Sequence, residues 1–265
     1  FYNYLRSHGA SRKNRNSIQN RNTSLSAETV RRIHSCIRRA LVIAADDEHE
    51  LLKRNIISML KRPDKPSLEA FQPEIYSVAE ANELLQICKG HMLEVPIKIA
   101  LFYGLRREEV LGLRWSAINF EDEGMITINN VYVQCQIYDG SDNDGRYGYF
   151  PKPRDKNKSS MRSFILHDDI RNLLLEHKEK VQAQKKKRRK AYNKDCLDYV
   201  CVNEYGEVIK PAYITKNFKK LLDNNDLRHI RFHDLRHTCS SFLLSKGLSL
   251  MVVKNHLGHG TYATT

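Results

Sequence analysis

Two side chains toward the end of the chain have the types and spacing to grip a phosphate. In Arg231-Phe232-His233-Asp234-Leu235-Arg236-His237-Thr238, His233 and Arg236 are three residues apart. On a helix they project from neighbouring positions of one face, while Leu235 turns toward a core. A guanidinium donates paired hydrogen bonds to phosphate oxygens and stays charged at physiological pH, and an imidazole titrates near neutrality. The pair can therefore converge on one phosphate. Standing alone, the same octapeptide would also serve as a helix start with a capping histidine and a surface arginine.

The chain around this motif is long enough, at 265 residues, for one large domain or two modest ones. Its formal net charge of +13 and sequence pI near 9.4 favour a polyanionic partner, nucleic acid before membrane. The six cysteines, Cys36, Cys88, Cys135, Cys196, Cys201 and Cys239, include no C-x-x-C pair and read as reduced thiols. Cys196 and Cys201 lack a second pair at ligand spacing, so no structural zinc is expected. No apolar run approaches the length of a membrane helix, and no secretory pattern opens the chain. A soluble cytoplasmic protein is the expectation.

The elements that must position the motif follow from periodicity. The chain opens at Phe1-Tyr2-Asn3-Tyr4-Leu5 as if inside a helix, and residues 8–24 read as a basic link rich in Ser, Asn, Arg and Gly. From Ser26, the residues Val30, Ile33, Ile37, Leu41 and Ile43 recur at helical spacing, with Arg31, Arg32, Arg38 and Arg39 between them. One face should pack and the other be basic. A second helical stretch, 51–60, ends at Arg62-Pro63-Asp64-Lys65-Pro66, where two prolines stop any helix and mark a domain boundary. Ser77-Val78-Ala79-Glu80 is a capping box opening a helix through Ile87. Residues 93–103 read as a buried helix stopped by Gly104, and 108–113 as the next helix. Strands are expected at 125–136, 162–166 and 199–202, the first two separated by the turn-rich insertion 139–145. The run Lys185-Lys186-Lys187-Arg188-Arg189-Lys190 is either a solvated helix face or a phosphate-contacting surface.

Three stretches in order carry a family resemblance. Tyr103-Gly104-Leu105-Arg106-Arg107-Glu108-Glu109-Val110-Leu111-Gly112-Leu113-Arg114-Trp115, then the octapeptide above, then His256-Leu257-Gly258-His259 resemble the signature boxes of tyrosine recombinases, the family of phage and conjugative-transposon integrases. The resemblance implies an α+β fold, mostly helical with a small antiparallel sheet. It divides the chain into a core-binding helical DNA-binding domain (1–64), a linker (65–73) and a catalytic domain (74–265).

It also implies roles. Arg106 and Arg236 would clamp the nonbridging oxygens, and His233 and His259 would orient the phosphate or accept a proton. Arg107 and His256 are the neighbours most easily confused with Arg106 and His259. An active-site lysine is expected on a hairpin. Lys156-Asn157-Lys158-Ser159-Ser160-Met161-Arg162 matches the family's spacing and makes Lys156 the choice, with Lys152 the alternative. The nucleophilic tyrosine should follow His259 by about nine or ten residues, past Thr265, and Tyr262 is assigned to packing. With two arginines and a lysine supplying charge, no metal or other cofactor is expected. Arg31, Arg32, Arg38, Arg39, Lys152 and Lys158 are the expected contacts to double-stranded DNA. A homotetramer on DNA, an accessory directionality factor and a bacterial cytoplasmic or nucleoid location complete what the resemblance implies. A type IB topoisomerase shares this chemistry, and a non-catalytic DNA-binding regulator would share the fold; the box spellings fit integrases better.

Overall fold

The structure, a computed structural model, describes residues 2–8, 25–45, 73–121, 123–137, 147–153 and 161–258. They fall into two compact units, within 1–72 and 73–265.

The first unit contains helices α1 (Tyr2–His8) and α2 (Ala27–Ala44). Ser26 caps α2, its hydroxyl accepting from the Thr29 amide at 3.2 Å. Val30 and His34 form the buried stripe of α2, and His34 Nδ1 lies 2.8 Å from the Tyr2 hydroxyl. Ile33, Ile37 and Leu41 are half-buried and Ile43 is exposed, so the apolar stripe read from the sequence fades along the helix. Arg31 and Arg32 pair with Glu28, whereas Arg38 and Arg39 are exposed.

Near the start of the second unit the Tyr76 amide donates to Thr238 Oγ1 at 3.1 Å, tying this segment to residues 231–238. The Ser77–Glu80 capping box forms at the start of α3 (Val78–Ile87). Helix α4 (Glu94–Tyr103) is buried nearly all round, as an apolar helix without a polar face must be. Gly104 ends it in the left-handed region at φ 62°. The positive φ favours glycine, and a Cβ there would lie 2.5 Å from Leu257 Cδ2 and push that side chain aside. Helix α5 (Arg107–Gly112) follows.

The expected strand 125–136 breaks at Asn129. Its first half, β2 (Met125–Ile128), lies between β1 (Ile118–Asn119) and β5 (Arg162–Ile165) in an antiparallel sheet ordered β1-β2-β5. Its second half, β3 (Asn130–Gln136), forms a separate ribbon with β4 (Tyr147–Pro153), Asn130 opposite Pro153 and Gln136 opposite Tyr147. Two adjacent asparagines, poor strand formers with side chains bonded to each other at 2.7 Å, mark the change of sheet. At Gly112 a Cβ would lie 2.6 Å from Val131 Cα, so α5 and β3 touch backbone to backbone.

Helix α6 (Asp168–Arg188) follows and ends in the basic run. The expected strand 199–202 is instead a buried segment held by isolated bridges, Arg114 with Tyr199 and Val202 with Val208. Its apolar residues pair with two different segments, so no continuous ladder forms. Helices α7 (Pro211–Asp223), α8 (Asp234–Ser245) and α9 (Leu250–Leu257) close the unit around the core. No helix of the described residues is long and apolar enough to cross a membrane.

Candidate active site

The centre of the site is a carboxylate that sequence reasoning passed over. Glu109, in the first turn of α5, has a side-chain exposure of 0%. Its Oε2 accepts from the backbone amide of Arg106 at 2.9 Å, closing the helix start, and its Oε1 accepts from Arg106 Nη1 at 3.0 Å. Arg162, the first residue of β5, forks onto the same carboxylate, with Nη2 2.7 Å from Oε2 and Nη1 3.4 Å from Oε1. Arg236 Nη1 lies 4.0 Å from Oε2. Three guanidiniums thus meet one carboxylate, leaving two positive charges in excess among the described residues. Arg106 is the accessible member, its side chain 31% exposed against 8% for Arg162 and 1% for Arg236.

Arg236 is not an outward partner of His233, as helical spacing alone suggested. Its guanidinium runs inward to the carbonyls of Gly104 and Leu257. These carbonyls belong to the C-terminal ends of α4 and α9, where helix dipoles concentrate negative charge. Two helix ends and Glu109 therefore hold a cation that would otherwise be costly to bury. Desolvation, then repulsion from Arg106, pushes Arg236 down to about 9, so it remains charged at neutral pH. Its Nε is buried without a hydrogen-bond partner.

His233 is the N-cap of α8, in helical conformation, and it is exposed. Its pKa lies below the ordinary histidine value, chiefly through desolvation and then through the charges of His237 and Arg236. The His237 ring stands 5.3 Å away, edge to face. The helix start is anchored beneath them by buried Asp234, which accepts from the Arg231 amide at 2.8 Å and from its Nε and Nη2 at 3.0 and 2.7 Å. Thr238 Oγ1, which receives the Tyr76 amide, donates to the Asp234 carbonyl at 3.0 Å.

The structure therefore brings Arg106 and Arg236 to one carboxylate and places His233 within electrostatic reach of Arg236. Arg107 turns elsewhere, to Glu108 and to Thr215 Oγ1 at 2.8 Å. Lys152, the alternative lysine, lies exposed on β4 opposite Val131, on the antiparallel β3–β4 ribbon. Lys156, Lys158, His259 and Tyr262 lie outside the described residues. His256 packs its ring on Phe164 at 4.7 Å with Nε2 buried and unpartnered, and desolvation, then Arg162, lowers its pKa. The signals for the overlooked residues were faint. Glu109 stands three residues after Arg106, a capping-box spacing, and Arg162 closes the lysine-bearing motif; neither position announces a buried ion pair.

The second unit is thus a mostly helical domain with a small antiparallel sheet that carries an arginine cluster around Glu109. The chain belongs to the phage integrase family, which it matches over residues 76–265. Among characterised relatives, a XerC-like tyrosine recombinase of Caldanaerobacter subterraneus is 30% identical over 193 residues, covering 72% of this chain and 49% of that protein. The ICEBs1 integrase of Bacillus subtilis is 25% identical over 249 residues, covering 92% of this chain and 61% of the integrase. The chain thus spans about half to three-fifths of the length of these relatives. In fold it is similar to the Tn1549 transposon integrase, solved in complex with a circular intermediate DNA, with a TM-score of 0.68, 16% identity, and coverage of 91% of this chain and 74% of the other. A lambda integrase tetramer bound to a Holliday junction matches with a TM-score of 0.52 and 16% identity, covering 89% of this chain and 57% of the integrase chain.

Proposed function

We propose that this chain carries the strand-cutting and rejoining activity of a site-specific DNA recombinase that excises and integrates a mobile element. The observation that carries the reading is the excess positive charge around Glu109. Among the described residues the cluster holds two more guanidiniums than carboxylates, with Arg106 partly exposed, so it can accept an anion, and a phosphodiester is the anion that family membership supplies.

In this reading the phosphorus of one strand is attacked by a tyrosine oxygen, the bond from phosphorus to the 5′ oxygen breaks, and a 3′-phosphotyrosyl link retains the bond energy for rejoining. Arg106 bonds a nonbridging oxygen with the part of its guanidinium not engaged by Glu109. Arg236 adds charge from behind, and direct bonding requires it to exchange a helix-end carbonyl for a phosphate oxygen. His233, held neutral by its lowered pKa, accepts the tyrosine proton or orients the phosphate, a task shared with His259. Lys156 protonates the departing 5′ oxygen. Residues 1–64, through Arg31, Arg32, Arg38 and Arg39, and the catalytic portion 74–265, through Lys152 and Lys158, both contact duplex DNA, joined by the linker 65–73. Phosphate contacts supply most of the affinity. The working assembly is a homotetramer on DNA in the bacterial nucleoid, steered by an accessory directionality factor.

The test is a suicide DNA substrate incubated with the full-length protein. A covalent protein–DNA adduct is expected, abolished by Arg106→Ala and Arg236→Ala with DNA binding retained. Failure of the parent protein to form the adduct on its own element's end sequences would refute the proposal.

A further inference from the structure

We propose that Arg162 is a positioning residue for strand cleavage: it saturates Glu109 and so keeps the Arg106 guanidinium available to the phosphate. The inference rests on the recombinase reading above.

Glu109 offers two oxygens to at least three cations, Arg106, Arg162 and Arg236 among the described residues. Arg162 occupies both, at 2.7 and 3.4 Å, while the Arg106 side chain makes one contact, at 3.0 Å. A carboxylate stripped of the Arg162 fork would satisfy its free lone pairs with the nearest remaining donors. Those include Arg106, already bonded to it, and Arg236, 4.0 Å away. Bidentate capture of Arg106 would turn its fork inward and take from the phosphate the donors that make the clamp.

The placement of Arg162 suits this task. Its backbone is fixed in the three-stranded sheet, paired with Ile128, and its guanidinium lies 5.7 Å from the Phe164 ring centroid. With 8% of its side chain exposed, it has little surface to offer a substrate and acts through Glu109. The sheet thereby sets the position of a charge on α5, across 53 residues of sequence.

The full-length protein is compared with Arg162→Ala, Arg162→Lys, Glu109→Gln and the double variant Arg162→Ala/Glu109→Gln, measuring the rate of adduct formation at saturating suicide substrate. For Arg162→Ala the rate is expected to fall on the order of 100-fold, the scale of a misplaced reacting group, while half-saturating DNA stays near the parental value. Millimolar guanidinium should restore part of the Arg162→Ala rate. Arg162→Lys, which keeps the charge but not the fork, should lie between parent and alanine. The double variant should be no slower than the slower single variant, because both act on one pair. Should Arg162→Ala not fold, Arg162→Lys decides: a reduced saturated rate with unchanged half-saturation supports the proposal, and a parental rate overturns it. Parental rates in Arg162→Ala, or rate losses that multiply in the double variant, also overturn it. If the parent forms adduct and Arg106→Ala does not, those outcomes remove only the role of Arg162; if the parent forms none, the recombinase reading falls first.

Discussion

Replacing Glu109 by glutamine preserves shape and one acceptor oxygen while removing the only negative charge that the described residues place among Arg106, Arg162 and Arg236. The magnitude follows from the geometry. A pair of unit charges 4.0 Å apart, the Arg236–Glu109 separation, attract by about 4 kcal/mol at an effective dielectric of 20. The Arg162 contact is shorter, at 2.7 Å, with the arginine side chain 8% exposed. Against these gains stands the desolvation of Glu109 itself, which the variant no longer suffers, so the net loss is well below the sum of attractions. Breaking a buried pair from one side ordinarily costs about 3–5 kcal/mol, and the retained amide oxygen places the expectation near the lower end, about 3 kcal/mol. Urea denaturation of parent and variant measures it. Because the deficit is one of negative charge, sulfate or duplex DNA should recover more of the loss in the variant than they add to the parent. A variant within about 0.5 kcal/mol of the parent, the range of an ordinary surface substitution, would refute the reasoning.

Two further expectations concern pH and packing. His177, His233, His237 and His256 all have pKa values lowered from 6.5 in the folded protein, mainly by desolvation, so between those values and 6.5 the unfolded chain binds more protons. Stability should be fully present above pH 6.5 and decline as pH falls below it; a melting temperature that rises from pH 7 to pH 5.5 would contradict this. Gly112→Ala places a Cβ 2.6 Å from the Val131 backbone, which cannot rotate away. Separating α5 from β3 should cost about 1–3 kcal/mol in a denaturation experiment, and a neutral substitution would show that the contact yields easily.

Much of the local architecture was legible because it is written in near neighbours. Ser26 and the Ser77–Glu80 pair cap the helices their spacing announces, Gly104 stops α4, and the apolar composition of residues 93–103 buries them. The strand 125–136 misled because alternation continues across Asn129 while the partner changes, and pairing partners are not written in a strand's own residues. The segment 199–202 misled for a related reason: its apolar content reports burial, and burial was met by packing between two short bridges instead of a ladder.

By itself, the sequence determined the helix boundaries set by caps and glycines, the basic balance that calls for a polyanion, and the box residues Arg106, His233 and Arg236 as the candidates for phosphate chemistry. Tertiary structure alone decided how those residues are placed. It turned Arg236 inward onto two helix ends, left Arg106 as the accessible guanidinium, and set Glu109 and Arg162 beside them. The reason is physical: a charge's behaviour depends on the burial and countercharges around it, and these come from α4, α5, β5, α8 and α9, elements whose meeting no spacing along the chain records.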